Sequence, residues 1–280
     1  MAAGLRLSLG RRSPTSLEEE EKPASPLPIE VRPLSDRVSL AVTPGLRTPC
    51  VTKRFPPGFT PERNKENGAL KRLNGVSGVP GLHKSYRRLL VMESAPGASL
   101  EGKQLSEEQA LSVLTQLQAT LAEVHSRGVI HADVKPDNMI FSDSGKLFLI
   151  DWGSAVMGIE DRMSFDGGTP GYLPPAILLH ASYGSEIDHF GVALTVYELL
   201  MGKPFFDPRY LSLRESVEQL VHQLGVPAQS LLDRALYAKA FFEEGKLREE
   251  MSPEIAALPK WSEGLSPAWV ERLSPLLSQL

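Results

Sequence analysis

Between residues 131 and 153 the chain reads His131-Ala132-Asp133-Val134-Lys135-Pro136-Asp137-Asn138 and then Ile150-Asp151-Trp152-Gly153. An apolar stripe at helical spacing precedes it: Leu111, Leu114, Leu117, Leu121 and Val124. Two short apolar runs, Met139–Phe141 and Leu147–Ile150, follow on either side of a Ser142-Asp143-Ser144-Gly145 turn. The segment is therefore expected to be a loop between a helix and a strand pair, and loops on rigid scaffolds commonly carry reactive groups. It presents carboxylates, an amine and an amide on small and turn-forming backbone. That set suits metal-assisted phosphoryl transfer, which needs oxygens for Mg²⁺, a cation for the moving phosphoryl group and a base for the attacking hydroxyl. Each residue alone reads as a charged, solvated turn; the ordered set does not.

The rest of the chain can house such a loop. Its 280 residues are enough for one large domain or two small lobes around a substantial core. A formal net charge of −4 leaves no basic field to hold a polyanion, so nucleic acid is not an expected partner. No apolar run reaches the length that spans a bilayer, and no membrane partner is expected. The single cysteine, Cys50, excludes an intrachain disulfide and suits a reducing compartment, the cytoplasm being the expected one. Oligomeric state is not legible. Residues 1–35 are rich in Pro, Ser, Arg and Glu without sustained periodicity and are expected to be a disordered tail. Ser13-Pro14 and Ser25-Pro26 within it are candidate phosphorylation sites, weighed against a plain solvated tail. The acid-free start, with Arg6, Arg11 and Arg12, admits an organelle transit segment, which the acidic run Glu18–Glu21 argues against.

Past the tail, Val38, Leu40 and Val42, then Cys50 to Lys53, alternate as a hairpin or two strands around the Thr43-Pro44-Gly45 turn. Residues 61–73 read as a helix, opening on Pro61 and Glu62. After turn-forming Gly75, Gly78 and Gly81, Leu89–Met92 reads as a strand. Ser106 and Gln109 have capping-box spacing ahead of the striped helix, and a largely apolar helix is expected over residues 186–201. Residues 205–280 read as further helices broken by Pro and Gly.

The segment 131–153 resembles the catalytic loop H-R-D-x-K-x-x-N and the D-F-G segment of eukaryotic-type Ser/Thr protein kinases. Gly168-Thr169-Pro170-Gly171-Tyr172-Leu173-Pro174-Pro175 is similar to the family's G-T-P-G-Y-x-A-P-E stretch. Asp188, followed by Tyr197-Glu198-Leu199-Leu200 and Gly202-Lys203-Pro204, resembles its buried C-lobe helix. The resemblance implies an α+β, two-lobed protein-kinase-like fold. Residues 36–93 would form a small β-rich N-lobe with one helix, and residues 94–280 a larger, mainly α-helical C-lobe. It also implies Mg·ATP as cofactor and protein substrates phosphorylated on Ser or Thr. Asp133 would be the base, with Lys135 neutralising the moving phosphoryl group and Asn138 and Asp151 holding Mg²⁺. Val51-Thr52-Lys53 resembles the strand that carries the phosphate-binding lysine, with Glu66 as its helix partner. Met92 would be the gatekeeper, and Glu93 to Ala95 the adenine-contacting backbone. The Lys135-Pro136 step and Thr169 resemble Ser/Thr rather than Tyr kinases, and His131 is assigned to packing.

The sequence departs from that family in places. No G-x-G-x-x-G precedes Lys53; residues 31–35 hold no glycine. Ala132 stands for the arginine of H-R-D, which implies that phosphorylation of the activation segment is not the switch. Ala176 stands for the glutamate of A-P-E with no evident arginine partner, and Trp152 for the phenylalanine of D-F-G. Three readings compete: an active Ser/Thr kinase, a pseudokinase-like scaffold or binding module, and a small-molecule phosphotransferase of the aminoglycoside or choline type. The last lacks counterparts for Lys135-Pro136 and for the Gly168–Pro175 stretch.

Overall fold

The alternating segment around Lys53 becomes the middle of a sheet. In the computed structural model, which describes residues 27–43, 45–46, 48–158 and 168–278, the chain begins with β1 (Ile29–Pro33), β2 (Val38–Val42) and β3 (Cys50–Arg54). Helix α1 (Thr60–Arg72) follows, with Pro61 and Glu62 in its first turn and Lys71 and Arg72 in its last, as the helix dipole favours. Then come β4 (Leu82–Tyr86) and β5 (Leu89–Glu93). These strands form one antiparallel sheet in the order β1-β2-β3-β5-β4. Its register sets Val38 beside Lys53 and Lys53 beside Leu90, with Leu40, Val51 and Met92 in the next row. Residues two apart on a strand share a face, so the face carrying the Lys53 ammonium also carries that apolar row.

Strand β1 corrects the expected tail. Residues 29–33 pair with β2, and Glu30 accepts hydrogen bonds from Arg54 Nε at 2.9 Å and Thr52 Oγ1 at 3.2 Å. Ile29 stays 67% exposed, so burial does not announce this strand in the sequence; pairing with β2 makes it. The remaining tail expectations, with Ser13-Pro14, Ser25-Pro26, the transit segment and Pro44, lie outside the described residues.

The chain then passes β6 (Ala98–Ser99) into α2 (Glu107–Ser126). The expected capping box is present: Gln109 N–H donates to Ser106 Oγ at 3.2 Å, and Ser106 N–H to Gln109 Oε1 at 3.1 Å. The buried stripe is Ala110, Val113, Leu114, Leu117, Leu121 and Val124, whereas Leu111 is 39% exposed. The stripe's drift at 3.6 residues per turn turns Leu111 outward and Ala110 inward. Then follow β7 (Val129–Ile130), β8 (Met139–Phe141), β9 (Leu147–Leu149), β10 (Val156–Met157), α3 (Pro175–Leu178) and α4 (Glu186–Met201). Helix α4 is buried along most of its length and packs between α2 and the final helix. The chain ends with α5 (Leu213–Leu224), α6 (Gln229–Arg234), α7 (Ala238–Phe241), β11 (Phe242–Glu243), β12 (Lys246–Leu247), α8 (Pro253–Ala256) and α9 (Pro267–Leu277). One apolar cluster runs from Phe55 and Leu70 beneath the sheet, through Leu117, Leu121 and Phe190, to Trp269. Burying each such side chain contributes about 1.5–3 kcal/mol. Ala176, where a buried ion pair was absent from the sequence, packs instead among Ala181, Tyr183, Ile187 and Leu231. An apolar replacement of both partners leaves no charge stranded.

Candidate active site

The loop of residues 131–138 leaves β7 and is pinned from below by α4. Asp188, fully buried in that helix, accepts the backbone N–H of His131 at 2.8 Å and of Ala132 at 2.7 Å. His125 Nε2 lies 2.8 Å from the same carboxylate. These bonds hold Ala132 at φ 66, in the left-handed region that a non-glycine residue adopts only when its surroundings dictate it. The sequence pointed to Asp188 as part of a motif but not to this work; an acid in the first turn of a largely apolar helix was the available signal. His131 packs as expected. Its Nδ1 accepts Asp133 N–H at 3.2 Å, so Nε2 carries the proton donated to the Ile150 carbonyl at 3.0 Å. Its ring meets Trp152 edge to face with centroids 4.6 Å apart. Trp152 is buried, and its indole N–H finds no acceptor among the described residues.

Above that base the polar side chains converge. Thr169 Oγ1 donates to Asp133 Oδ1 at 2.7 Å and accepts from Lys135 Nζ at 2.6 Å. Lys135 Nζ is also 3.4 Å from Asp133 Oδ2. Asn138 Nδ2 donates to the Asp133 carbonyl at 2.8 Å and to its Oδ2 at 3.0 Å. Asp133 and Thr169 line a cavity of about 20 Å³, room for one water-sized group. Asp133, Lys135 and Asn138 are thus one hydrogen-bonded unit. Thr169, named in the sequence only as a family mark, is its bridge.

The second cluster joins the sheet to the segment after β9. Lys53 Nζ lies 2.8 Å from Glu66 of α1 and 2.7 Å from Asp151. Burial alone would lower the Lys53 ammonium, but the two carboxylates outweigh it and hold its pKa above the ordinary lysine value. Burial pushes the Glu66 carboxyl up to about 7, against the pull of Lys53. Burial would raise Asp151 too, yet Lys53 and the Gly153 N–H hold it below the ordinary range. Asp151 sits at φ 58, and its Oδ1 accepts both Lys53 and Gly153 N–H. Asn138 and Asp151 are tied through backbone, Ile150 N–H donating to the Asn138 carbonyl at 2.9 Å.

These donors fit a hard divalent cation. Asn138 spends its amide N–H on Asp133, which turns its carbonyl oxygen to other use, and Asp151 is ionised with a second carboxylate oxygen. Among the described residues no three His, Cys, Asp or Glu side chains gather as a metal cage. Mg²⁺ in phosphoryl-transfer sites needs no such cage, taking one or two protein oxygens and filling its shell with phosphate and water. Farther along the sheet, Met92 is half-buried in the row with Leu40 and Val51. Glu93 N–H donates to the Gly81 carbonyl at 2.8 Å and is not available to a base edge. Ala95 is half-buried in the following loop.

Comparison with known proteins adds to this geometry. The protein kinase domain family matches residues 72–258. The chain is 29% identical over 190 residues to the human hormonally up-regulated neu tumor-associated kinase, covering 65% of this chain and 26% of that protein. It is 32% identical over 155 residues to the Caenorhabditis briggsae Rho-associated protein kinase let-502, covering 51% of this chain and 13% of that protein. Mouse Aurora kinase C is 28% identical over 160 residues, covering 54% of this chain and 58% of that protein. The chain therefore spans about a quarter of the first of these relatives.

Proposed function

This chain belongs to the protein kinase domain family, and from that membership we propose that it transfers the γ-phosphate of Mg·ATP to Ser or Thr hydroxyls of protein substrates. The observation that carries the proposal is the Asp133–Thr169–Lys135 chain of hydrogen bonds beside the Lys53–Asp151 ion pair. An acid poised as acceptor, a cation next to it and a second cation facing the metal-binding acid are what in-line phosphoryl transfer requires.

In this reading Asp133 accepts a hydrogen bond from the substrate hydroxyl and takes its proton as that oxygen bonds to the γ-phosphorus. The bond from phosphorus to the bridging oxygen of ADP breaks, and the electrons leave with ADP. Lys135 neutralises charge on the transferring group, and Thr169 holds Lys135 and Asp133 in register. Lys53 grips the α- and β-phosphates, oriented by Glu66. Mg²⁺, held by Asn138 and Asp151, would supply charge neutralisation on the phosphates. The apolar row of Leu40, Val51 and Met92, with the Glu93 carbonyl and Ala95 beyond it, forms the adenine side.

A binding module without turnover is the second reading, favoured by the glycine-free turn between β1 and β2. The two separate on Mg·ATP-dependent phosphate transfer to a generic Ser/Thr substrate such as myelin basic protein or casein. Transfer by the wild type, falling about 10²–10⁴-fold in Asp133→Asn and at least as far in Asp151→Ala, supports the enzyme. No transfer, with no Mg·ATP binding, abandons it.

A further inference from the structure

The turn that joins β1 to β2 runs Leu34-Ser35-Asp36-Arg37, and the Leu34 and Ser35 N–H groups both close onto the Val38 carbonyl. It sits where the sheet register brings it next to Lys53: Val38 pairs with Lys53, and Arg54 N–H donates to the Arg37 carbonyl at 2.7 Å. No glycine there allows backbone to wrap a phosphate. The turn instead sends one side chain across to α1. Arg37 Nη1 lies 3.2 Å and 3.3 Å from the two carboxylate oxygens of Glu62, and its guanidinium covers the Phe59 ring at 4.8 Å. Glu62 is in turn wedged against the segment that carries Asp151: a Cβ on Gly153 would stand 2.9 Å from Glu62 Cγ. Glu62 lies four residues before Glu66, one helical turn along the same face, and its negative charge pushes the Glu66 carboxyl upward.

We propose that Arg37, acting through Glu62, is a positioning residue for the nucleotide's phosphate end, doing with a side-chain ion pair what a glycine-rich turn does with backbone. The pair fastens three pieces: the turn above the phosphates, the helix that orients Lys53, and the Asp151–Gly153 segment below. Arg37 touches no reacting atom. It keeps the cradle assembled before the nucleotide arrives, so binding spends less on ordering it. The inference rests on the kinase reading above.

Three ligands test it: adenosine, Mg·ADP and Mg·ATP, titrated by calorimetry into the full chain. The variants are Arg37→Ala, Arg37→Lys, Glu62→Gln and the Arg37→Ala/Glu62→Gln double variant. Both side chains are partly exposed, so each variant is expected to fold, with thermal unfolding as the control. We expect Mg·ADP and Mg·ATP to bind about threefold to fivefold more weakly to Arg37→Ala. Adenosine binding should be unchanged, Arg37→Lys should recover part of the loss, and the double variant should lose no more than either single one. In turnover, the KM for ATP should rise by the same factor with kcat at saturation nearly constant. Equal weakening of adenosine and Mg·ADP, additive losses, or unchanged Mg·ADP binding would each overturn the role given to Arg37. A wild type that binds none of the three overturns the kinase reading and this inference with it.

Discussion

Glu66 carries the sharpest electrostatic consequence of the site. Its folded pKa stands near 7 against an ordinary 4.5, so between those values the folded protein holds a proton that the unfolded chain has lost. A raised carboxyl stabilises the fold fully below 4.5, and that contribution fades as pH climbs through 7. Denaturant unfolding of wild type and Glu66→Gln at several pH values should show wild type declining relative to the variant across that window. Parallel curves would remove the claim. Asp151 is shifted the other way, and the stability it adds is lost only as pH falls below the ordinary carboxylate range. Trp152 offers a second residue-level test. Its buried indole N–H goes without an acceptor, a burden of about 1–3 kcal/mol that phenylalanine would not carry. Trp152→Phe should therefore cost less than ~1.5 kcal/mol in unfolding free energy, whereas Trp152→Ala should cost about 3–5 kcal/mol through the cavity it opens. The acids and amines of the site were legible as an ordered set, because their order along the chain is itself the motif. Thr169 as bridge, Asp188 as anchor, and Arg37 and Glu62 as clasp were not, because each acts on a partner far along the chain.

At the scale of elements, α4 is the platform on which the loop of residues 131–138 rests. Gly191 faces that loop so closely that a Cβ there would stand 2.9 Å from both Val134 Cβ and the Val134 carbonyl oxygen. Gly191→Ala favours the helix itself by about 1 kcal/mol yet must push residues 133–135 upward. The expected outcome is a folded protein whose phosphate transfer falls at least tenfold (a misplacement of about 1 Å can cost 10²-fold) while adenosine binding is kept. Full activity would show that the loop yields without consequence. Helices were the readable elements. The Ser106–Gln109 box, Pro61 and the apolar run of α4 are local signals, and each helix formed where they lay. Strands β1 and β4 were not foreseen. Both are edges of the sheet, with one neighbour each and an exposed face, so their residues need show no apolar alternation.

For the molecule as a whole, the kinase reading makes one demand: occupancy of the cleft must stabilise the fold. A ligand at a hundred times its Kd adds about 2.7 kcal/mol, which for a domain of this size raises Tm by about 4–8 °C. Differential scanning fluorimetry with Mg·ATP should show that rise in wild type and only a fraction of it in Lys53→Ala. No rise at any concentration would speak for a module that holds no nucleotide. The family match begins at residue 72 and so leaves out Lys53 and Glu66; only the folded sheet and α1 bring those two to Asp151. The sequence by itself determined the family, the α+β class, the helices and the identity of the polar groups, because caps, stripes and ordered motifs are local in the chain. Tertiary structure alone decided that residues 29–33 are a strand, that Ala176 needs no ion partner, and that Arg37 closes onto Glu62. Those outcomes depend on hydrogen bonds, burial and charge pairing that arise only when separate segments fold against one another, and the residue pattern of any one segment does not show them.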